Sequence, residues 1–169
     1  SISGTVVVFH DVGELRGLTR KMSYQATHDP LTGLINRREF ERRLDEAVDV
    51  AHSEETVHML FYMDLDRFKA VNDSCGHLAG DNMLREVAAL IKDQVRDSDF
   101  VGRLGGDEFG ALLIGCPIEK ARQIASDICN AIADYRFVWK DKIFNIGISI
   151  GLVEISHASG TLQDVMSAA

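Results

Sequence analysis

Two short acidic clusters in this 169-residue sequence each adjoin a segment that reads as a buried strand. Val57 to Met63 is a dense apolar run of strand length, and it leads directly into Asp64-Leu65-Asp66. Carboxylates at the end of a buried strand need partners, because an unpaired buried charge is very costly. A divalent cation is one such partner. Asp107 and Glu108 supply two more acids immediately after Gly105-Gly106, where the pattern predicts the tip of a hairpin. If that hairpin lies beside the Asp64 strand, several carboxylates converge at one end of a sheet. Hard oxygen ligands of this kind suit Mg²⁺, which keeps waters and phosphate oxygens in its shell. Two such ions can activate a hydroxyl and neutralise charge during phosphoryl transfer. Acids at a turn are also commonly solvated surface, and a glycine pair is commonly only a turn, so both readings stand on these residues alone.

The elements that must hold the clusters follow from hydrophobic periodicity. Thr5 to Phe9 reads as a strand that His10-Asp11 ends, and Val12 to about Thr27 reads as a helix with Leu15, Leu18 and Met22 on one side. So thin a stripe fits either a connecting helix that pairs with its twin in a dimer or a helix lying on its own domain. Asp29-Pro30 breaks it, and Thr32-Gly33 continues the turn. Asn36 followed by Glu39 predicts a capping box, opening a helix with Phe40, Leu44, Ala47, Val48 and Ala51 on one face. Further helices are expected over Arg67 to Asn72, from about Leu78 to Val95, after Pro117, and from Thr161. Strands are expected at Phe100 to Leu104, Phe109 to Ile114, Phe137 to Trp139 and Phe144 to Val153. This order predicts an α+β fold, with helices packed on a mainly antiparallel sheet.

Composition narrows the function. A net charge of −8 argues against a general nucleic-acid surface. It does not exclude a nucleotide substrate, because bound metal reverses the sign of a small site. Apolar residues make up 46% of the chain in short runs, enough for a core, and no run approaches membrane-spanning length. Val6 to Phe9 is too short for a signal-peptide core. Cys75, Cys116 and Cys129 show no CxxC spacing and read as reduced thiols of a cytoplasmic domain. The initial Ser suggests a piece of a longer protein, leaving open whether the parent is membrane-anchored.

Gly105-Gly106-Asp107-Glu108-Phe109 spells GGDEF, and three further segments accompany it in order. The run from Asp29 to Arg37 resembles a DxLTGLxNR segment, Asp64 to Asp73 a DxDxFKxxND segment, and Gly76 to Asp81 a GHxxGD segment. Together they resemble the GGDEF-domain diguanylate cyclase family over the chain from about Thr27 onward. That resemblance implies a fold like nucleotidyl cyclases and polymerase palm domains, with a ferredoxin-like core. It also implies condensation of two GTP molecules into cyclic di-GMP by a homodimer with one GTP per protomer. Expected cofactors are Mg²⁺ or Mn²⁺, two per half-site. By the same resemblance, Asp64, Asp107, Glu108 and the backbone carbonyl of Leu65 hold metal, and Asp107 takes the ribose 3′-hydroxyl proton. Lys69 stabilises phosphate charge. Asn72 and Asp81 read the base, with His77, Gly105 and Gly106 in the substrate site. His77 fits a loop-orienting role equally well. Independently of the family, guanine presents N1–H beside an exocyclic amine and a carboxylate accepts from both, so Asp81 favours GTP over ATP.

Arg96-Asp97-Ser98-Asp99 fits the family's RxxD pattern, with Asp99 six residues before Gly105. The resemblance implies an inhibitory cyclic di-GMP site at Arg96 and Asp99. Residues 1–27 resemble the end of a PAS-like sensory domain plus a signalling helix, and residues 28–169 the catalytic domain, stopping before the family's ALYxAK-like segment. An upstream sensory domain is therefore an expected partner, and a downstream domain is left open. The competing reading is an inactive module that senses GTP or cyclic di-GMP; a dimerisation unit alone does not need the full guanine-reading set.

Overall fold

Two helical layers enclose one four-stranded sheet in a computed structural model that describes residues 18–156. The strand expected at Thr5 to Phe9, the start of the first helix with Leu15, and the helix expected from Thr161 lie outside the described residues. The first described element, α1 (18–27), has Leu18 and Met22 exposed. Then come α2 (Arg37–Glu54), β1 (His58–Asp66), α3 (Phe68–Cys75), α4 (His77–Gln94), β2 (Phe100–Gly105), β3 (Glu108–Leu113), α5 (Ile118–Asp134), β4 (Arg136–Trp139), β5 (Lys142–Asn145) and β6 (Gly147–Ile155).

The sheet order is β2-β3-β1-β6, and each neighbouring pair is antiparallel, as the α+β reading expects. β1 is central and covered on both faces, which explains its nearly continuous apolar run. Met59, Phe61, Met63 and Leu65 face a core shared with α3, α4 and α5, and Leu60 faces a second core beneath α2. The five residues expected to form the inner face of α2, Phe40, Leu44, Ala47, Val48 and Ala51, are all buried. α2 sits close to the sheet because Phe40 lies across the cross-strand partners Gly102 and Gly110. A Cβ at Gly110 would stand 2.8 Å from the Phe40 ring.

Several boundaries differ from the sequence reading. β1 extends to Asp66, so both acids belong to the strand rather than follow it. α3 starts at Phe68 and runs to Cys75, because Arg67 takes a left-handed conformation at φ 70° and Gly76 ends the helix. The run from Phe144 to Val153 is not one strand: β5 stops at Asn145 and pairs with β4 as a separate hairpin, and β6 begins at Gly147. The capping box is half formed. Asn36 Oδ1 accepts from Glu39 N at 2.9 Å, but the Glu39 carboxylate turns to Arg42 and Arg43 instead of Asn36 N. Asn36 N already donates to Thr27 O.

His58, buried at the start of β1, accepts a 2.8 Å hydrogen bond at Nδ1 from Gly115 N. Burial pushes its pKa below the usual histidine value. Protonation of Nδ1 would remove that acceptor, so the unfolded chain binds the proton more readily. His58 should therefore favour the fold fully above the ordinary histidine pKa and progressively less as pH falls below it. The thermal midpoint is expected to drop between about pH 7.5 and about pH 5, and by less in His58→Gln; an equal drop in both proteins counts against this role.

Candidate active site at the turn between β2 and β3

The acids converge because the register brings them together. Asp64 is the cross-strand partner of Glu108, the first residue of β3. Gly106 and Asp107 form the two-residue turn, and Leu65 N reaches past the ladder to donate to Asp107 O at 3.2 Å. Only Gly106 of the glycine pair takes positive φ, at +26°, while Gly105 is the last residue of β2. Leu104 bulges out of register and points into the α2 core, which lets so short a turn close. Burial and then the charges of Asp107, Glu108 and Asp66 push the Asp64 carboxyl above the usual range. Asp66 is tied back separately by Ser149 Oγ at 3.4 Å.

A raised carboxyl among like charges is what a cation would relieve, so the donor chemistry fits a hard divalent ion. Among the described residues, no three His, Cys, Asp or Glu side chains close around a point that could hold a metal ion. Asp64, Asp107 and Glu108 lie within reach of one another's charge, as an open set rather than a closed cage. Mg²⁺ is usually held by one or two carboxylates together with water and substrate phosphates, so an open set suits it better than a closed cage.

The residue that fixes this turn was not singled out from the sequence. Arg103, half-buried in β2, donates from Nε and Nη2 to Gly106 O at 3.1 and 3.0 Å. Its Nη1 reaches Asp29 Oδ1 at 3.2 Å, and its backbone N donates to Ile35 O at 3.0 Å. Asp29 also accepts from Thr32 N and Thr32 Oγ1 at 2.9 and 2.7 Å. Burial opposes the Asp29 charge, but the bonds from Thr32 and Arg103 outweigh it and hold its carboxyl below the usual range. Asp29, read from sequence as a helix breaker, therefore anchors the strand that carries the turn. A cation two residues before a glycine pair, with an acid in the loop leaving α1, was the available signal.

The remaining site residues lie on the α3–α4 hairpin of helices. Lys69 is exposed in the first turn of α3 and makes no ion pair among the described residues. Asn72 is half-buried on α3, Asp81 half-buried on α4, and His77 exposed at the start of α4. Gly76 joins the two helices at φ +88°, a conformation that favours glycine. Phe68 packs against the larger core, in keeping with its structural reading.

Arg96 and Asp99 stand at the opposite end of β2, about 20 Å of strand from the turn. Asp99 is buried and its carboxylate is fully occupied: Oδ1 accepts from Arg96 Nη2 and Ile114 N, and Oδ2 from Arg96 N and Nε. Arg96 Nη2 also donates to Ile114 O at 2.8 Å, while its side chain remains 42% exposed. Asp99 is thus the clasp of the loop between α4 and β2, and Arg96 is the member of the pair that solvent reaches.

Losing Arg103 removes the cation beside the half-buried Asp29 carboxylate and both side-chain donors to the Gly106 carbonyl. Arg103→Ala is expected to cost about 2 kcal/mol in a denaturant titration, and Arg103→Lys to recover only part, because one ammonium cannot span both acceptors. Stability unchanged in both would remove Arg103 from this role.

Residues 26–169 match the family described as diguanylate cyclase, GGDEF domain. The chain is 47% identical over 166 residues to the probable diguanylate cyclase DgcE of Escherichia coli, covering 98% of this chain and 15% of that protein. It is 36% identical over 151 residues to the cyclic di-GMP phosphodiesterase PdeB of Shewanella oneidensis, covering 89% of this chain and 17% of that protein. The chain therefore spans less than a fifth of the length of these curated relatives. Among solved structures, the coiled coil and GGDEF domain of DgcB from Caulobacter crescentus, in complex with c-di-GMP, superposes with a TM-score of 0.91 at 26% identity, covering 98% of this chain and 87% of that one. The GGDEF signature at the turn, the antiparallel sheet that presents it and these likenesses agree: the chain belongs to the GGDEF-domain diguanylate cyclase family.

Proposed function

We propose that this domain condenses two GTP molecules into cyclic di-GMP and releases diphosphate, with two copies each presenting one GTP. The observation that carries the reading is the open set of Asp64, Asp107 and Glu108, held at one sheet end by the register of β1 with β3 and by the Leu65 N–Asp107 O bond. The likeness to proteins named as diguanylate cyclases supports it.

Asp64, Asp107, Glu108 and the Leu65 carbonyl would hold Mg²⁺ or Mn²⁺, two per half-site. The metal, when bound, lowers the pKa of the attacking 3′-hydroxyl and offsets phosphate charge. Asp107 accepts the 3′-hydroxyl proton. That oxygen then bonds to the α-phosphorus of the facing GTP, and the bond to diphosphate breaks. Lys69, exposed on α3, would stabilise developing phosphate charge, and glycine at 105 and 106 would let the triphosphate approach closely. Asp81 accepts from guanine N1–H and the amine, Asn72 contributes the second base contact, and His77 would belong to the same substrate site. Residues 28–169 form the catalytic unit in this reading, and α1 carries dimer geometry from an upstream sensory domain. No helix among the described residues is long and apolar enough to cross a membrane.

Product inhibition through the Arg96 region belongs to the same proposal. The exposed guanidinium would grip phosphate or guanine, with Asp99 aiming it rather than reading the base itself. A second reading, a regulatory module that senses GTP or cyclic di-GMP without turnover, is favoured by the likeness to a protein named as a phosphodiesterase.

Incubating the full-length protein with GTP and Mg²⁺ should yield cyclic di-GMP by chromatography, and Asp107→Ala should abolish it while retaining the folded circular-dichroism spectrum. GTP binding without product would favour the regulatory reading. Arg96→Ala should weaken inhibition by added cyclic di-GMP and keep the initial rate within about twofold; superimposable inhibition curves would remove Arg96 from that role.

A further inference from the structure

Gly80, in the first turns of α4, leaves a gap that a side chain of α3 occupies. A Cβ at position 80 would stand 1.8 Å from Asn72 Oδ1, 2.8 Å from Asn72 Cγ and 3.3 Å from Phe68 Cε2. A 1.8 Å approach cannot be absorbed by small shifts, so any residue larger than glycine expels the Asn72 carboxamide from its seat. Asn72 Oδ1 is buried there and has no hydrogen-bond partner among the described residues. A buried carbonyl oxygen without a partner is unfavourable, and such exceptions call for a reason.

The reason lies at the other end of the same group. With Oδ1 turned into the α3–α4 crossing, Nδ2 is the end left to meet a ligand, and it carries two donors. Reversing the carboxamide would bury two donors in place of one acceptor. The crossing therefore selects an orientation in which Asn72 presents N–H. The next residue of α4, Asp81, presents only acceptors when ionised. Guanine matches that pair, since its N1–H and amine donors are flanked by the acceptors O6 and N3.

We infer that Gly80 is a positioning residue for base recognition: it seats Asn72 so that Nδ2 donates to an acceptor of the base while Asp81 accepts from the base's N–H groups. The inference rests on the assignment of Asn72 and Asp81 as base-reading residues. It adds that the direction of the Asn72 contact is set by the absence of a side chain on the neighbouring helix.

The test is a double-mutant cycle in the full-length protein, read by calorimetric GTP binding and by thermal midpoint. Gly80→Ala is expected to weaken GTP binding about tenfold, while turnover at saturating GTP stays within about twofold. Asn72→Ala is expected to weaken binding by a similar factor. Adding Gly80→Ala to Asn72→Ala should cost little further, because Oδ1 and Cγ are gone and only the 3.3 Å approach to Phe68 Cε2 remains. Additive effects on both readouts overturn the inference and leave the base-reading assignment standing. Unchanged GTP binding in Asn72→Ala, or no GTP binding by the unsubstituted protein, overturns both. If Gly80→Ala alone does not fold, the double variant is expected to fold and to match Asn72→Ala; a double variant that also fails to fold overturns the inference.

Discussion

The five hydrogen-bonding groups of one guanidinium allow Arg103 to do at the β2–β3 turn what no local interaction could. With the Leu104 bulge the two-residue turn closes, but nothing within the turn dictates how far it leans from the sheet. Arg103 sets that lean by taking Gly106 O on one side and Asp29 on the other, across 74 residues of sequence. The backbone bond from Arg103 N to Ile35 O adds a second tie to the same loop. The segment that leaves α1 and the turn that carries Asp107 are thus parts of one rigid connection. Displacing the exit of α1 must displace Asp29, and Asp29 shares its partner with the turn.

Electrostatics divide the molecule into saturated and unsaturated acids. Asp99 and Glu39 are buried, and each has arginine beside it. Hydrogen bonding to Arg42 is the largest influence on Glu39 and holds its carboxyl below the usual range. Asp64 is shifted the opposite way, by burial and by neighbours of its own sign. A fold that pairs its structural acids so consistently leaves Asp64, Asp107 and Glu108 conspicuous by contrast. An unpaired carboxylate cluster is destabilising unless something positive arrives, so the site carries a standing demand for cations that the arginine-paired acids do not share.

Much of this was legible from the sequence, because its signals are local. The apolar run before Asp64, the glycine pair before Asp107 and the stripe of α2 each declare an element within a short window. The long-range features were not legible in the same way. Arg103 reads as an ordinary strand residue until Asp29 is seen beside it, and Gly80 reads as a motif letter until Asn72 is placed against it. The capping pair at Asn36 misled in part, because Glu39 had stronger partners one turn on in Arg42 and Arg43. The late strand from Phe144 to Val153 was read as continuous because Ile146, the buried residue at its break, has the same apolar character as its neighbours.

The Leu104 bulge makes the site intolerant of changes in chain length. Side chains along β2 alternate between faces, and the bulge resets that alternation just before the turn. Gly102 lies under Phe40, Arg103 faces Asp29 and Leu104 enters the α2 core, each position depending on the count before it. Substitution at the exposed positions of this hairpin leaves the count intact. Inserting or deleting a residue just before Arg103 would exchange the arginine with a core position, and a change of length between Leu104 and Phe109 would move the turn off Leu65 N. Among related chains, this stretch should therefore keep its length.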